Sequence, residues 1–241
     1  MSDLVPLPDR GRRYVSAREV RLGDADLRGR LRLDALARYL QDVANDDGRD
    51  ALGEDASSWV VRRSVIDVER WPRLGEVLTL TTFLGGVGGR WAERRTSVHA
   101  AERVCFECAS LWVHLDLRTG RPVPLPESFL PIYGEVYGDR KVSGRLSLPS
   151  PPDGRSRRPW PVRASDFDVL GHVNNAVYWA AVEDAFAIDR ARSGLRFELE
   201  YKSAIEAGMD VELVADGDGG AWLVAAGTGD VFAAARLTSG Q

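Results

Sequence analysis

Ser165-Asp166-Phe167-Asp168-Val169-Leu170-Gly171-His172-Val173-Asn174-Asn175-Ala176-Val177-Tyr178-Trp179 is the stretch on which the reading of this chain turns. It opens as a short polar turn and runs on into apolar residues at helical spacing, so two Asp, a His and two Asn gather where a helix begins. A helix start presents free backbone N–H groups and the positive end of the helix dipole, a setting that suits an oxyanion. The stretch is therefore expected to be an active site. Asp168 is the candidate base or nucleophile, since a carboxylate is already ionised at neutral pH. His172 is the candidate to orient a carbonyl or water and to carry the proton to a leaving group. Gly171 lets backbone approach a substrate closely, and the N–H groups of His172 and Val173 are the expected oxyanion donors. Asn174 and Asn175 anchor the turn or position the water. Tyr178, Trp179 and Phe186 are read as core or substrate-channel wall. Capping or an Asx turn competes for Asp168, Asn174 and Asn175.

The same turn occurs twice. Val20-Arg21-Leu22-Gly23-Asp24-Ala25-Asp26-Leu27-Arg28-Gly29-Arg30-Leu31 aligns without gaps on residues 162–173, at a constant offset of 142 positions (168 minus 26). Further on, Pro72-Arg73-Leu74-Gly75-Glu76-Val77 matches Ile205-Glu206-Ala207-Gly208-Met209-Asp210-Val211 with one insertion. Each turn is followed by a helical pattern and then by strands rich in Val, Ile, Thr and Trp, as a tandem duplication requires. The first helix is carried by Leu33, Leu36, Ala37, Leu40, Val43 and Ala44, followed by strands at 59–68, 76–84, 90–100 and 104–117. The second helix is expected over 173–192, with strands at 195–203, 210–215, 221–228 and 231–238. Between them 122–159 is rich in Pro, Gly and Ser and reads as a linker crossing the surface. The expected units are thus 15–121, a linker 122–159, and 160–241. They differ where chemistry would sit: His172 is Arg30 in the first unit, and Asn174-Asn175 is Arg32-Leu33. The second unit is expected to be catalytic and the first to line the substrate.

Composition narrows the classes. The 241 residues are 44% hydrophobic and carry a net charge of −4, an ordinary globular composition that gives no support to nucleic-acid binding. Cys105 and Cys108 lie three apart on a strand pattern, on opposite faces, so neither a disulfide nor a shared metal is expected. Met1–Arg13 has no apolar signal core and no apolar run is long enough to span a bilayer, so a cytoplasmic protein without membrane insertion is expected. His99 and His114 fall in strand patterns without polar company.

Asp168-Val169-Leu170-Gly171-His172-Val173-Asn174-Asn175-Ala176-Val177-Tyr178-Trp179 resembles the helix-start motif of hotdog-fold thioesterases. With Trp59-Val60-Val61-Arg62-Arg63 and Trp91-Ala92-Glu93-Arg94-Arg95, the chain from about 15 to 238 resembles the acyl-acyl carrier protein thioesterases, in which two hotdog units are fused. The resemblance implies an α+β fold of two tandem hotdog units, each a long helix wrapped by antiparallel sheet, with the two sheets paired and the helices inside. It implies hydrolysis of the thioester joining a fatty acyl chain to the phosphopantetheine of acyl carrier protein, in fatty acid biosynthesis, with no cofactor. The family motif runs Asp, then Asn two residues on, then His two beyond; Asp168 and His172 fill the outer places, and Leu170 stands at the Asn place. The family also has an acid on the strand after the helix. That place falls near Ala204-Ile205, and Glu206 is the nearest acid. The site carried over is therefore Asp168, His172, Asn174 and Glu206 for catalysis, with Gly171, Val173, Asn175 and Tyr178 binding substrate. An acyl-CoA thioesterase relying on one carboxylate stays open, as does an acyl-thioester-binding protein without turnover, for which Leu170 and Ala204 argue. Arg62-Arg63, Arg94-Arg95, Arg140-Lys141 and Arg155, Arg157, Arg158 are the candidate docking groups for an acidic carrier protein. A homodimer is the other expected partnership.

Overall fold

Alternating Val, Thr, Leu and Trp cannot bury both faces of an isolated strand, so the strands pair into one antiparallel sheet and lay one face against two helices. The computed structural model describes residues 4–53 and 59–239. In chain order it comprises β1 (Arg13–Glu19), α1 (Leu33–Leu52), β2 (Trp59–Val68), β3 (Val77–Val87), β4 (Trp91–Ala100), β5 (Arg103–Asp116), β6 (Arg121–Pro122) and α2 (Phe129–Tyr133). Then follow β7 (Arg157–Pro159), α3 (Val177–Phe186), β8 (Leu195–Tyr201), β9 (Val211–Ala215), β10 (Gly220–Ala225) and β11 (Val231–Ser239).

The sheet order is β1-β3-β4-β5-β2-β8-β11-β10-β9-β7. It reads as one five-strand pattern and its mirror, with β1 answering β7, β3 answering β9 and β2 answering β8. The halves meet where β2 and β8 run antiparallel, from Arg63 opposite Glu200 to Val68 opposite Leu195. This is the double hotdog expected from the sequence. The main core lies between the sheet and the helices: Leu33, Leu36, Leu40 and Val43 from α1 and Trp179 and Val182 from α3 pack on Ile66, Phe106, Phe197 and Leu199.

Three details differ from the sequence reading. The second helix is ten residues rather than twenty, because Ala187 adopts φ 45° and turns the chain out of the helix while the apolar spacing runs on into Ile188. Edge strands β1 and β7 were not expected; β1 is paired along its length with β3, and β7 with β9. The strand expected at 76–84 runs on as β3 to Val87, with an irregularity near Gly85. Gly85 has no room for a side chain there: a Cβ would lie 2.6 Å from the Arg95 stem.

The stretch 122–159 is an ordered strap across the sheet. Arg140 donates to Gly85 O, the Trp91 indole N–H donates to Val142 O, and the N–H groups of Ser147 and Leu148 hold the buried Glu200 carboxylate. Leu148 then packs on Val214, Trp222, Val224 and Ala234, the sheet face turned away from the helices.

Candidate active site

Both copies of the repeated turn fold alike and share most of their backbone bonds. Asp24 and Asp166 each accept from the backbone N–H three residues earlier, closing a short 3-10 turn. The Asp26 N–H donates to Arg30 O at 2.8 Å and the Asp168 N–H to His172 O at 2.9 Å. Gly29 and Gly171, at φ 72° and 78°, take the left-handed conformation the reversal requires. The Leu31 N–H donates to Pro72 O and the Val173 N–H to Ile205 O; the Arg32 N–H donates to Asp24 O and the Asn174 N–H to Asp166 O. Arg30 lies opposite Arg73 across a single antiparallel bridge, and His172 lies opposite Glu206 in the same way. The duplication is a duplication of structure.

This geometry sorts the candidates. Asp168 Oδ1 accepts the Leu170 N–H at 2.9 Å, an Asx turn, and Asp26 Oδ1 does the same work for both Arg28 and Arg30. Architecture therefore accounts for one oxygen of Asp168. His172 is half-buried, and its bridge to Glu206 puts both side chains on one side of the pair, although β8 itself stops at Tyr201. Leu170 points outward at 54% exposure and supplies no polar group where the family motif has Asn. Val173 cannot donate to an oxyanion, since its N–H is spent on Ile205 O and its side chain is buried in the core. That expectation is corrected. Asn174 is a turn anchor: its Oδ1 accepts the Ala176 N–H and its carbonyl accepts the Val177 N–H. Gly171 is exposed and supplies the turn. Tyr178 is buried, its phenol accepts the Ile205 N–H, and burial reinforced by the charge of Asp168 pushes its pKa up to about 12.

The two turns part further at the residue after Arg32 and Asn174. The Leu33 N–H, in the first half, donates to the Glu183 carboxylate at 2.5 Å. The Asn175 N–H, its equivalent at the offset of 142, has no hydrogen-bond partner among the described residues. The residue equivalent to Glu183 is Gln41, and its Oε1 accepts from the Asn175 side-chain amide at 3.5 Å. Each helix thus reaches the other half's turn: α3 sends a carboxylate to the first, α1 a neutral amide to the second. Glu183 is further bound by Arg190, which also approaches Asp26 at 3.4 Å. Burial raises the pKa of Glu183 against the opposing pull of Arg190 and the Leu33 N–H. Gln41 was missed from sequence, although the constant offset pairs it with Glu183.

Gln41, Asn45, Gly48 and Leu52 fall on one face of α1. Beyond Gln41 that face lines a cavity of about 500 Å³, counting its open mouth, walled by Trp59, Leu84, Ala92, Trp112, Phe129 and Tyr133. Its polar rim is held by Asp47, buried in α1 and bonded by Arg12, Arg94 and Tyr133. Most of the basic clusters are structural: Arg62 donates to Tyr201 O and Lys202 O, Arg95 to Cys108 O and Glu107, and Arg140 to Glu93. Arg155, Arg157 and Arg158 are exposed.

Comparison with known proteins agrees with this geometry. The family model described as the acyl-ACP thioesterase N-terminal domain matches residues 11–133, and that of the C-terminal domain matches residues 150–232. An uncharacterized protein of Mycobacterium tuberculosis is 30% identical over 207 residues, 85% of this chain and 83% of its own. The chloroplastic dodecanoyl-[acyl-carrier-protein] hydrolase of Umbellularia californica is 27% identical over 154 residues, 60% of this chain and 40% of its own. In fold, the crystal structure of an acyl-ACP thioesterase from Bacteroides thetaiotaomicron superposes with a TM-score of 0.78 at 19% identity, covering 93% of this chain and 96% of that one. Duplicated fold, helix-start turn and matches along nearly the whole chain agree: the protein belongs to the acyl-ACP thioesterase family and is a hydrolase of fatty acyl-ACP thioesters.

Proposed function

We propose that hydrolysis takes place at the second-half turn, with Asp168 as general base, the Asn175 N–H as oxyanion donor and His172 beside the reacting carbonyl. The thioester carbonyl lies against the Asn175 N–H. Asp168, through the oxygen not engaged by Leu170, removes a proton from water as that water adds to the carbonyl carbon. The tetrahedral oxyanion is held by the Asn175 N–H, a contribution of about 3 kcal/mol for one well-placed donor. Collapse breaks the carbon–sulfur bond, the phosphopantetheine sulfur leaves with the proton delivered by way of His172, and the free fatty acid remains.

One observation carries the reading: at the equivalent place in the first half the Leu33 N–H already binds a carboxylate oxygen, so the local backbone is shaped to hold an anion. The acyl chain extends along α1 past Gln41 into the first-half cavity. Glu206 lies opposite His172 across the bridge, exposed, and takes no step in this scheme. Arg155, with Arg157 and Arg158 exposed beside it and already bonded to Glu212 and the Asp184 carbonyl, is the basic cluster we assign to meeting an acidic carrier protein. Free, buried Cys105 and Cys108 suit a reducing cytoplasm. Asp168→Asn and His172→Ala should each lower kcat on acyl-ACP ~10-fold or more at unchanged melting temperature. Glu206→Ala should stay within about threefold of the parent. Parental rates in Asp168→Asn would remove the assignment.

A further inference from the structure

The first-half turn has lost the imidazole but has kept its cleft. Its walls are Asp26, Leu27, Arg28 and Arg30 on one side and the segment from Ala187 to Arg190 on the other, around about 900 Å³ counting the open mouth. Where the second half has His172 opposite Glu206, the first has Arg30 opposite Arg73. Like charges directly opposite across an antiparallel pair repel, so this exchange costs stability unless something answers both. Glu76 is the carboxylate that feels the charge of Arg73, and among the described residues none pairs with Arg30. Among the described residues Arg28, Arg30 and Arg73 form no ion pair, and Arg30 Nη1 is withdrawn from solvent without a hydrogen-bond partner. The carboxylates of the cleft are already engaged: Asp26 Oδ1 by the Arg28 and Arg30 N–H groups, Asp26 Oδ2 by Arg190, and Asp189 Oδ1 by the Ala191 N–H. Arg190, only 10% exposed, is held by Glu183 and lies over the Trp71 ring at 5.0 Å, fixing the far wall.

We propose that this cleft is a second, non-catalytic ligand site that takes a phosphate group, bound by Arg30 and Arg28 of its wall, with Arg73 at its edge, opposite Arg30 across the bridge. A guanidinium left unsatisfied away from water is costly, and a tetrahedral phosphate offers two oxygens for a bidentate bond to it and further oxygens for a second guanidinium. A carboxylate is a weaker fit, because Asp26 and Asp189 already supply carboxylates in this cleft without pairing with these arginines. The phosphate is either that of a pantetheine-bearing molecule or free phosphate; the site chemistry is the same.

Calorimetric titration of the full chain at low ionic strength, with inorganic phosphate and separately with coenzyme A, tests the site. Saturable binding is expected, weakened at least ~10-fold in Arg30→Gln and in the double variant Arg28→Gln/Arg73→Gln, and unchanged in His172→Ala. Arg73 and Arg28 are exposed, so the double variant serves even if Arg30→Gln does not fold. Coenzyme A binding at least ~10-fold tighter than phosphate assigns the group to a pantetheine-bearing ligand, and equal affinities assign it to free phosphate; both uphold the site. Absence of binding by either probe, parental affinity in the Arg28/Arg73 variant, or loss confined to His172→Ala would overturn it.

Discussion

At the scale of single residues, identical turn chemistry supports different roles. Asp26 and Asp168 make the same reversal, yet Asp26 gives its Oδ1 to two N–H groups and its Oδ2 to Arg190, while Asp168 Oδ1 takes one. A second carboxylate, Glu76, shows how a local partner sets a titration. Arg70 grips it with both terminal nitrogens, at 3.0 and 2.7 Å. Those bonds hold its pKa below the ordinary 4.5 despite partial burial. A carboxylate depressed in the folded state contributes stability above its unfolded pKa and loses it as pH falls through the folded value. Glu76→Gln should therefore melt lower than the parent at neutral pH, and the gap should close as the medium is acidified below about 4.5. Thermal unfolding across pH checks it; a gap independent of pH would mean that packing, not charge, is at stake.

At the scale of elements, the exchange of side chains between α1 and α3 defines the site. Glu183 fills the first N–H hole and Gln41 leaves the second open. Gln41→Glu should send a carboxylate into the Asn175 hole as Glu183 does for Leu33, lowering kcat about 100-fold with KM and melting temperature little changed. Steady-state kinetics with acyl-ACP decide it, and a parental kcat would show that the oxyanion lies elsewhere. The helix pair also shows what sequence can convey. Strand positions were legible because Val, Thr, Leu and Trp recur where one face must be buried, as in Val77–Val87. The turn and its duplication were legible because Asp, Gly and the offset survive. The early end of α3 was not, since Ala187 leaves the helix by a backbone turn that its side chain does not announce. Nor was Gln41, a mid-helix polar residue whose partner is 134 positions away. The open Asn175 N–H was hidden for the same reason: a vacancy depends on what fails to reach it.

At the scale of the whole molecule, the mechanism we propose has one half do the chemistry and the other receive the acyl chain. The cavity is bounded by α1, β2–β5 and, from within the strap, α2, while the second-half turn comes after the strap. Ala92, 6% exposed on β4, lies on the cavity wall. Ala92→Phe should shorten the longest acyl chain hydrolysed while leaving short-chain kcat/KM within about threefold, and overpacking of this kind costs about 1–3 kcal/mol of stability. A panel of acyl-ACPs of graded length reads this out. An unchanged profile in a folded variant would place the acyl chain somewhere other than this cavity.

The antiparallel seam of β2 and β8 has one more consequence. Two identical chains meeting at such a seam would carry every substitution twice, once at each turn, and could never keep an acid in one helix and an amide in the other. Joined by the strap, the two halves are free to vary independently. Gene fusion here is what makes asymmetry heritable, so that a change such as Gln at 41 against Glu at 183 alters one turn and spares the other.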